Sequence, residues 1–210
     1  MKIAVCLPTR GLIFAQTIEA ILKEIKGITN KIIIVSGLPI PDSHNTCVEK
    51  ALKTSCDYIL FVEEDVVIPE GGLRRMMEMA REDRVLVIDY PLEGSKTSYV
   101  EKNGEVLWSS MGCMMVPRKV FEEMPRPWFR TDKSLLITDE EKFEFREIDT
   151  PNKYGGHDVL FGLYLKSKGI KIVPIEGMKA KHLRLKSWER KTVNNGVHEI
   201  YELKGEKDGS

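Results

Sequence analysis

Three short apolar runs, residues 2–7, 31–35 and 58–62, are separated by two stretches whose apolar residues recur at helical spacing. The first stretch carries Ile18, Ile21, Leu22 and Ile25 and can stop at Gly27; the second carries Val48, Ala51 and Leu52. Two consecutive strand–helix–strand units imply crossovers, and crossovers imply a largely parallel sheet covered by helices. The third run ends in Glu63, Glu64 and Asp65. Open sheets of this kind gather ligands outside the carboxyl ends of their strands, which is where this triplet falls. Clustered carboxylates repel one another unless something cationic neutralises them, and a hard divalent metal suits oxygen ligands. The plain alternative is a strand end whose carboxylates face solvent.

Charge excludes one class of partner. Thirty-two basic and thirty-two acidic residues cancel, so no overall field draws the chain to nucleic acid or anionic lipid. At 210 residues and 42% hydrophobic content the chain suits one domain with a sizeable core. No run approaches the roughly 18 apolar residues of a membrane span, and the N-terminal run is too short for a signal peptide. The expectation is a cytoplasmic protein without a transmembrane segment. Cys6, Cys47, Cys56 and Cys113 lack C-x-x-C spacing and are expected as reduced core residues.

Beyond Pro69, the residues Leu73, Met76, Met77 and Ala80 share one helical face, and 85–88 reads as a buried strand. Asn103-Gly104, between 97–100 and 105–108, predicts a hairpin, because a type I′ turn needs positive φ at both central residues. An antiparallel insertion follows from it. Residues 109–116 read as one further strand and Val120–Met124 as the start of a short helix. The charged stretch 130–152 is compatible with a loop over a site. Gly155-Gly156-His157-Asp158 opens a helix bearing Leu160, Leu163 and Tyr164, with Gly169 as its stop before a strand at 170–173. The polar stretch 187–210 reads as a partly disordered C-terminal tail, frayed over 204–210.

The order of these motifs resembles the family 2 type of nucleotide-sugar glycosyltransferases with the GT-A fold, over residues 1–186. The resemblance rests on Pro8-Thr9-Arg10 after the first strand, His44-Asn45 opening the next helix, and Glu63-Glu64-Asp65 in place of the family's D-x-D motif. It continues through Gly112 before Val120-Phe121, Pro127-Trp128-Phe129 and Gly156-His157-Asp158-Val159, and ends at His182. It implies a single GT-A-like α/β domain with a mostly parallel central sheet flanked by helices and a small antiparallel insertion. It also implies transfer of a sugar from a nucleotide-sugar donor to an acceptor hydroxyl, with inversion and with Mn²⁺ or Mg²⁺ as cofactor.

Under the same resemblance Asp65 and His182 are the metal ligands, and Pro8, Thr9, Arg10, Asn45, Glu63 and Glu64 surround the nucleotide. Asp158 is the catalytic base, and Gly112, Trp128 and His157 face the acceptor. Plainer readings stand beside each of these. Asp158 can be a helix cap, His182 part of a solvated basic strand, and Trp128 a core ring. Three departures bear on the roles: Glu replaces Asp at both earlier positions of the acidic motif, His157 replaces an acidic residue, and Ser36-Gly37 stands where relatives often carry Asp. Pro8-Thr9-Arg10-Gly11 lacks the G-x-x-x-x-G-K-[ST] and G-x-G-x-x-G patterns, which argues against P-loop and dinucleotide folds. A nucleotidyltransferase, or a non-catalytic sugar-nucleotide or glycan-binding module of the same fold, remains open from sequence.

Overall fold

The computed structural model describes residues 1–28, 30–92, 97–131, 134–139, 144–148, 156–193 and 196–204. The first half alternates as read from sequence: β1 (Ile3–Thr9), α1 (Ala15–Glu24), β2 (Asn30–Ser36), α2 (Asp42–Leu52) and β3 (Tyr58–Val62). A two-residue strand β4 (Val66–Val67), α3 (Gly72–Met79) and β5 (Arg84–Asp89) follow. Next come β6 (Tyr99–Lys102), β7 (Glu105–Ser109), β8 (Cys113–Pro117), α4 (Arg118–Glu123), β9 (Ser134–Asp139) and β10 (Glu144–Ile148). The chain continues through α5 (His157–Ser167), β11 (Lys171–Lys179), β12 (Lys181–His182), β13 (Arg184–Val193) and β14 (Gly196–Lys204).

The main sheet has the order β2-β1-β3-β8-β5-β11-β7-β6. Strands β2, β1 and β3 are parallel, as are β5 and β11, whereas β8 is inserted antiparallel to both β3 and β5. Alternate residues of the central strands feed two cores. Ala4, Cys6, Ile59, Phe61, Val87, Met114 and Val116 meet α2, α4 and α5 through Val48, Phe121 and Phe161. Ile3, Val5, Leu7, Leu60, Val62, Ile88 and Met115 meet α1 and α3 through Ile21, Leu73 and Met76. This period-2 division makes a three-layer α/β/α sandwich. All four cysteines are buried and free.

The Asn103-Gly104 hairpin forms, with φ of 53° and 77°, and joins β6 to β7. Three expectations change. The single strand expected over 109–116 is split, because β7 ends at Ser109 and β8 begins at Cys113 on a different neighbour. The tail expected from 187 carries strand β14 and most of β13, which pair antiparallel, Trp188 opposite Tyr201 and Thr192 opposite Val197. Polarity concealed a stretch rich in β-branched and aromatic residues. Within the charged stretch 130–152, read as a loop, β9 and β10 pair antiparallel, Leu136 opposite Arg146, while residues 132–133, 140–143 and 149–152 lie outside the described residues. Among the described residues no helix is long and apolar enough to cross a membrane.

Candidate active site

The acidic turn is fixed by its backbone. Past the end of β3, Glu63 N–H donates to Gly112 O (3.1 Å), Phe14 N–H donates to Glu64 O (3.0 Å), and Leu183 N–H donates to Asp65 O (2.7 Å). The loop before β8, the start of α1 and the chain leaving β12 therefore converge on three consecutive residues. The β4–β12 pairing places His182 opposite Val66, immediately beside Asp65.

That register brings His182 Nε2 to 3.4 Å from Asp65 Oδ2. The other ring nitrogen, Nδ1, lies 3.0 Å from Pro91 O. A carbonyl only accepts, so Nδ1 carries a proton and Nε2 is the nitrogen directed at Asp65. Tyr90 packs edge-on against the imidazole, with ring centroids 5.3 Å apart. The tyrosine is held in turn by Ser110 Oγ (2.6 Å) and by the Gly112 N–H, which donates to its hydroxyl (3.0 Å). His182 is pushed above its ordinary pKa, first by its hydrogen bond to Asp65, while burial opposes this.

Electrostatics confirm how crowded the turn is. Burial, followed by repulsion from Asp65 and Glu64, pushes the Glu63 carboxyl up to about 8; Asp158 adds to that rise and His182 opposes it. Arg10 Nε donates to Glu64 Oε1 at 2.6 Å, and its Nη2 lies 3.9 Å from Asp65 Oδ2. Pro8, Thr9, Arg10, Glu63, Glu64, Asp65 and His182 line one cavity of about 380 Å³, joined by Leu38, Ile40, Ser43, His44 and Arg184. A larger cleft of about 1050 Å³ runs between α1 and α3 and contains none of the site residues expected from sequence.

The cavity thus gathers seven of the expected site residues. Asp158 lies on the first turn of α5, where its Oδ1 accepts the Val159 N–H (2.9 Å), and it is close enough to act on Glu63. His157 is buried against His44, ring centroids 5.0 Å apart, and against Phe129 at 6.0 Å. Neither ring has a hydrogen-bond partner among the described residues.

Three residues are placed elsewhere. The Asn45 carboxamide bonds both the Phe129 carbonyl (2.9 Å) and the Phe129 N–H (3.0 Å), so it clamps α2 to that segment and does not line the cavity around Asp65. Trp128 is 3% exposed and donates Nε1–H to Phe121 O at 2.7 Å; a core ring offers no platform to a sugar. Gly112 is required by Tyr90, whose hydroxyl a Cβ would strike, which accounts for the missing side chain without an acceptor. Sequence reading gives Tyr90 no role, takes His44 only as part of the motif that opens α2, and names Arg184 beside Lys181 and Lys186 as a cation that could balance diphosphate charge. The signal available for Tyr90 was its place just past the carboxyl end of β5, since site residues gather at such ends.

No family model matches the chain, and no curated protein matches it. Solved structures do. A197 from STIV is 19% identical, with 87% of this chain and 85% of that chain covered at a TM-score of 0.62. The catalytic domain of Drosophila beta1,4-galactosyltransferase 7, in complex with xylobiose, is 13% identical, with 99% and 95% covered at a TM-score of 0.55. A mutant of that enzyme, in complex with manganese, UDP-Gal and xylobiose, gives 12% identity and a TM-score of 0.54. At these identities the likeness is one of architecture, and the architecture is the GT-A-like fold.

Proposed function

We propose that the protein is a metal-dependent glycosyltransferase that moves a sugar from a nucleotide-sugar donor to an acceptor hydroxyl with inversion. The observation that carries this reading is the meeting of Asp65 and His182 in a cavity at the carboxyl ends of β1 and β3. The donor set fits a divalent ion. A carboxylate oxygen faces an imidazole Nε2, and the proton on Nδ1 is held by Pro91 O, the outer-shell arrangement that frees Nε2 to ligate. No third His, Cys, Asp or Glu joins them among the described residues, so the remaining positions would fall to solvent or phosphate oxygens. Bound there, Mn²⁺ or Mg²⁺ would offset the charge of the diphosphate. A manganese-bound complex of a similarly folded galactosyltransferase supports the choice of cofactor.

The chain's own residues supply the rest. Pro8, Thr9 and the apolar Leu38 and Ile40 bound the nucleoside side of the cavity. Glu63 and Glu64 would hold the ribose or help hold the metal through water. Asp158 removes the proton from the acceptor hydroxyl while that oxygen attacks the anomeric carbon. The bond from that carbon to the diphosphate oxygen breaks, and its electron pair leaves with the nucleoside diphosphate. His157 stands beside the acceptor end of this arrangement.

The test is a panel of nucleotide sugars with Mn²⁺ and mixed glycan acceptors, scored for released nucleoside diphosphate. Release with one nucleotide that stops on chelation is expected. Pyrophosphate release from a nucleoside triphosphate would instead make the protein a nucleotidyltransferase. Binding without turnover would make it a non-catalytic module.

A further inference from the structure

We propose that Arg10 is a resident counter-cation of the acidic turn, which a bare divalent metal must displace and which then passes to the diphosphate. The inference rests on the metal reading of Asp65 and His182 above. Its ground is a shared atom: Asp65 Oδ2 faces His182 Nε2 at 3.4 Å and Arg10 Nη2 at 3.9 Å, while Arg10 Nε holds Glu64 Oε1 at 2.6 Å. A metal ion ligated by that oxygen would sit next to a guanidinium, and like charges so close together repel.

The two sides of this contact differ in freedom. The acidic turn is tied by Phe14, Gly112 and Leu183, and the Glu64 side chain is 12% exposed. The Arg10 side chain is 78% exposed and precedes Gly11, where φ is 130° and the surroundings are open. Below it, Thr9 Oγ1 donates to Leu12 O (2.6 Å) and accepts the Gly11 N–H (3.1 Å), anchoring the loop independently of the guanidinium. Arg10 can therefore leave the carboxylates without disturbing β1. A guanidinium fork matches phosphate oxygens as well as it matches carboxylates, and the diphosphate would lie in the same cavity. The residue consequently opposes metal alone and supports metal together with diphosphate, so metal loading is conditional on the donor.

The experiment compares wild type, Arg10→Gln and Asp65→Asn in the full chain. Mn²⁺ binding is followed through the free-ion electron paramagnetic resonance signal, with and without inorganic pyrophosphate. Arg10→Gln is expected to bind Mn²⁺ alone roughly 3- to 30-fold more tightly than wild type. It should bind pyrophosphate more weakly at saturating Mn²⁺. Asp65→Asn should lose Mn²⁺ under both conditions. Equal Mn²⁺ affinity in wild type and Arg10→Gln, with Asp65→Asn still defective, overturns the hand-over and leaves the metal site standing. Absence of Mn²⁺ binding in both wild type and Arg10→Gln overturns the metal site and the hand-over together.

Discussion

His182 Nε2 faces Asp65 Oδ2 at 3.4 Å because β12 pairs with β4, setting His182 opposite Val66, and because Leu183 N–H closes on Asp65 O. A two-residue ladder thus aligns two groups that arrive from distant parts of the chain. His182→Ala should leave the fold intact and weaken Mn²⁺ binding by roughly 10- to 100-fold. Titration calorimetry with a nucleoside diphosphate present checks it, and unchanged affinity would remove His182 from the site.

Gly112 and Tyr90 form the rear support of that alignment. Gly112→Ala drives a Cβ into the Tyr90 ring and should cost about 1–3 kcal/mol, read as a lower urea midpoint. Tyr90→Phe keeps the ring against His182 but removes the acceptor of the buried Gly112 N–H, which should cost about 1–3 kcal/mol. Both effects should appear without nucleotide or metal.

Acid should destabilise the protein through its buried histidines. Burial, with a smaller effect from His157, pushes His44 from 6.5 down to about 3. Between those values the unfolded chain binds a proton that the folded chain refuses. Stability is therefore full above pH 6.5 and falls toward pH 3, by up to about 1.4 kcal/mol per pH unit from His44 alone. His157, also lowered by burial, acts in the same direction. Urea midpoints between pH 7 and pH 4.5 should show the loss, and His44→Leu should flatten the profile.

Asn45 is assigned a clamping role by its two bonds to Phe129. Asn45→Ala should lower stability by about 1–3 kcal/mol, because a buried backbone donor and acceptor lose their partner together. Nucleoside diphosphate affinity, measured well below the melting temperature, should stay near wild type. A large loss of affinity in a folded variant would return Asn45 to the nucleotide site.

The parts of this fold legible in sequence are those governed by local periodicity. Alternating apolar runs and helical spacings gave β1 through β3, and positive-φ chemistry gave the turn at Asn103-Gly104. The acidic turn was readable because three carboxylates at a strand end are costly without a counter-charge, and Arg10 is that counter-charge in the structure. Non-local facts were not readable. The insertion of β8 between β3 and β5 depends on sheet order, and the β4–β12 ladder is too short to leave a pattern. Trp128 illustrates a further limit: an aromatic ring has the same signature in a core and on a sugar platform, and only burial separates them.

The central claim is that Asp65 and His182 hold a metal on which donor binding depends. Calorimetric titration of wild type and Asp65→Asn with the nucleoside diphosphate selected by the donor panel, with and without Mn²⁺, tests it most directly. The account predicts binding by wild type that requires Mn²⁺, and loss of that Mn²⁺-dependent binding in a folded Asp65→Asn. Equal, metal-independent binding by both proteins would contradict it.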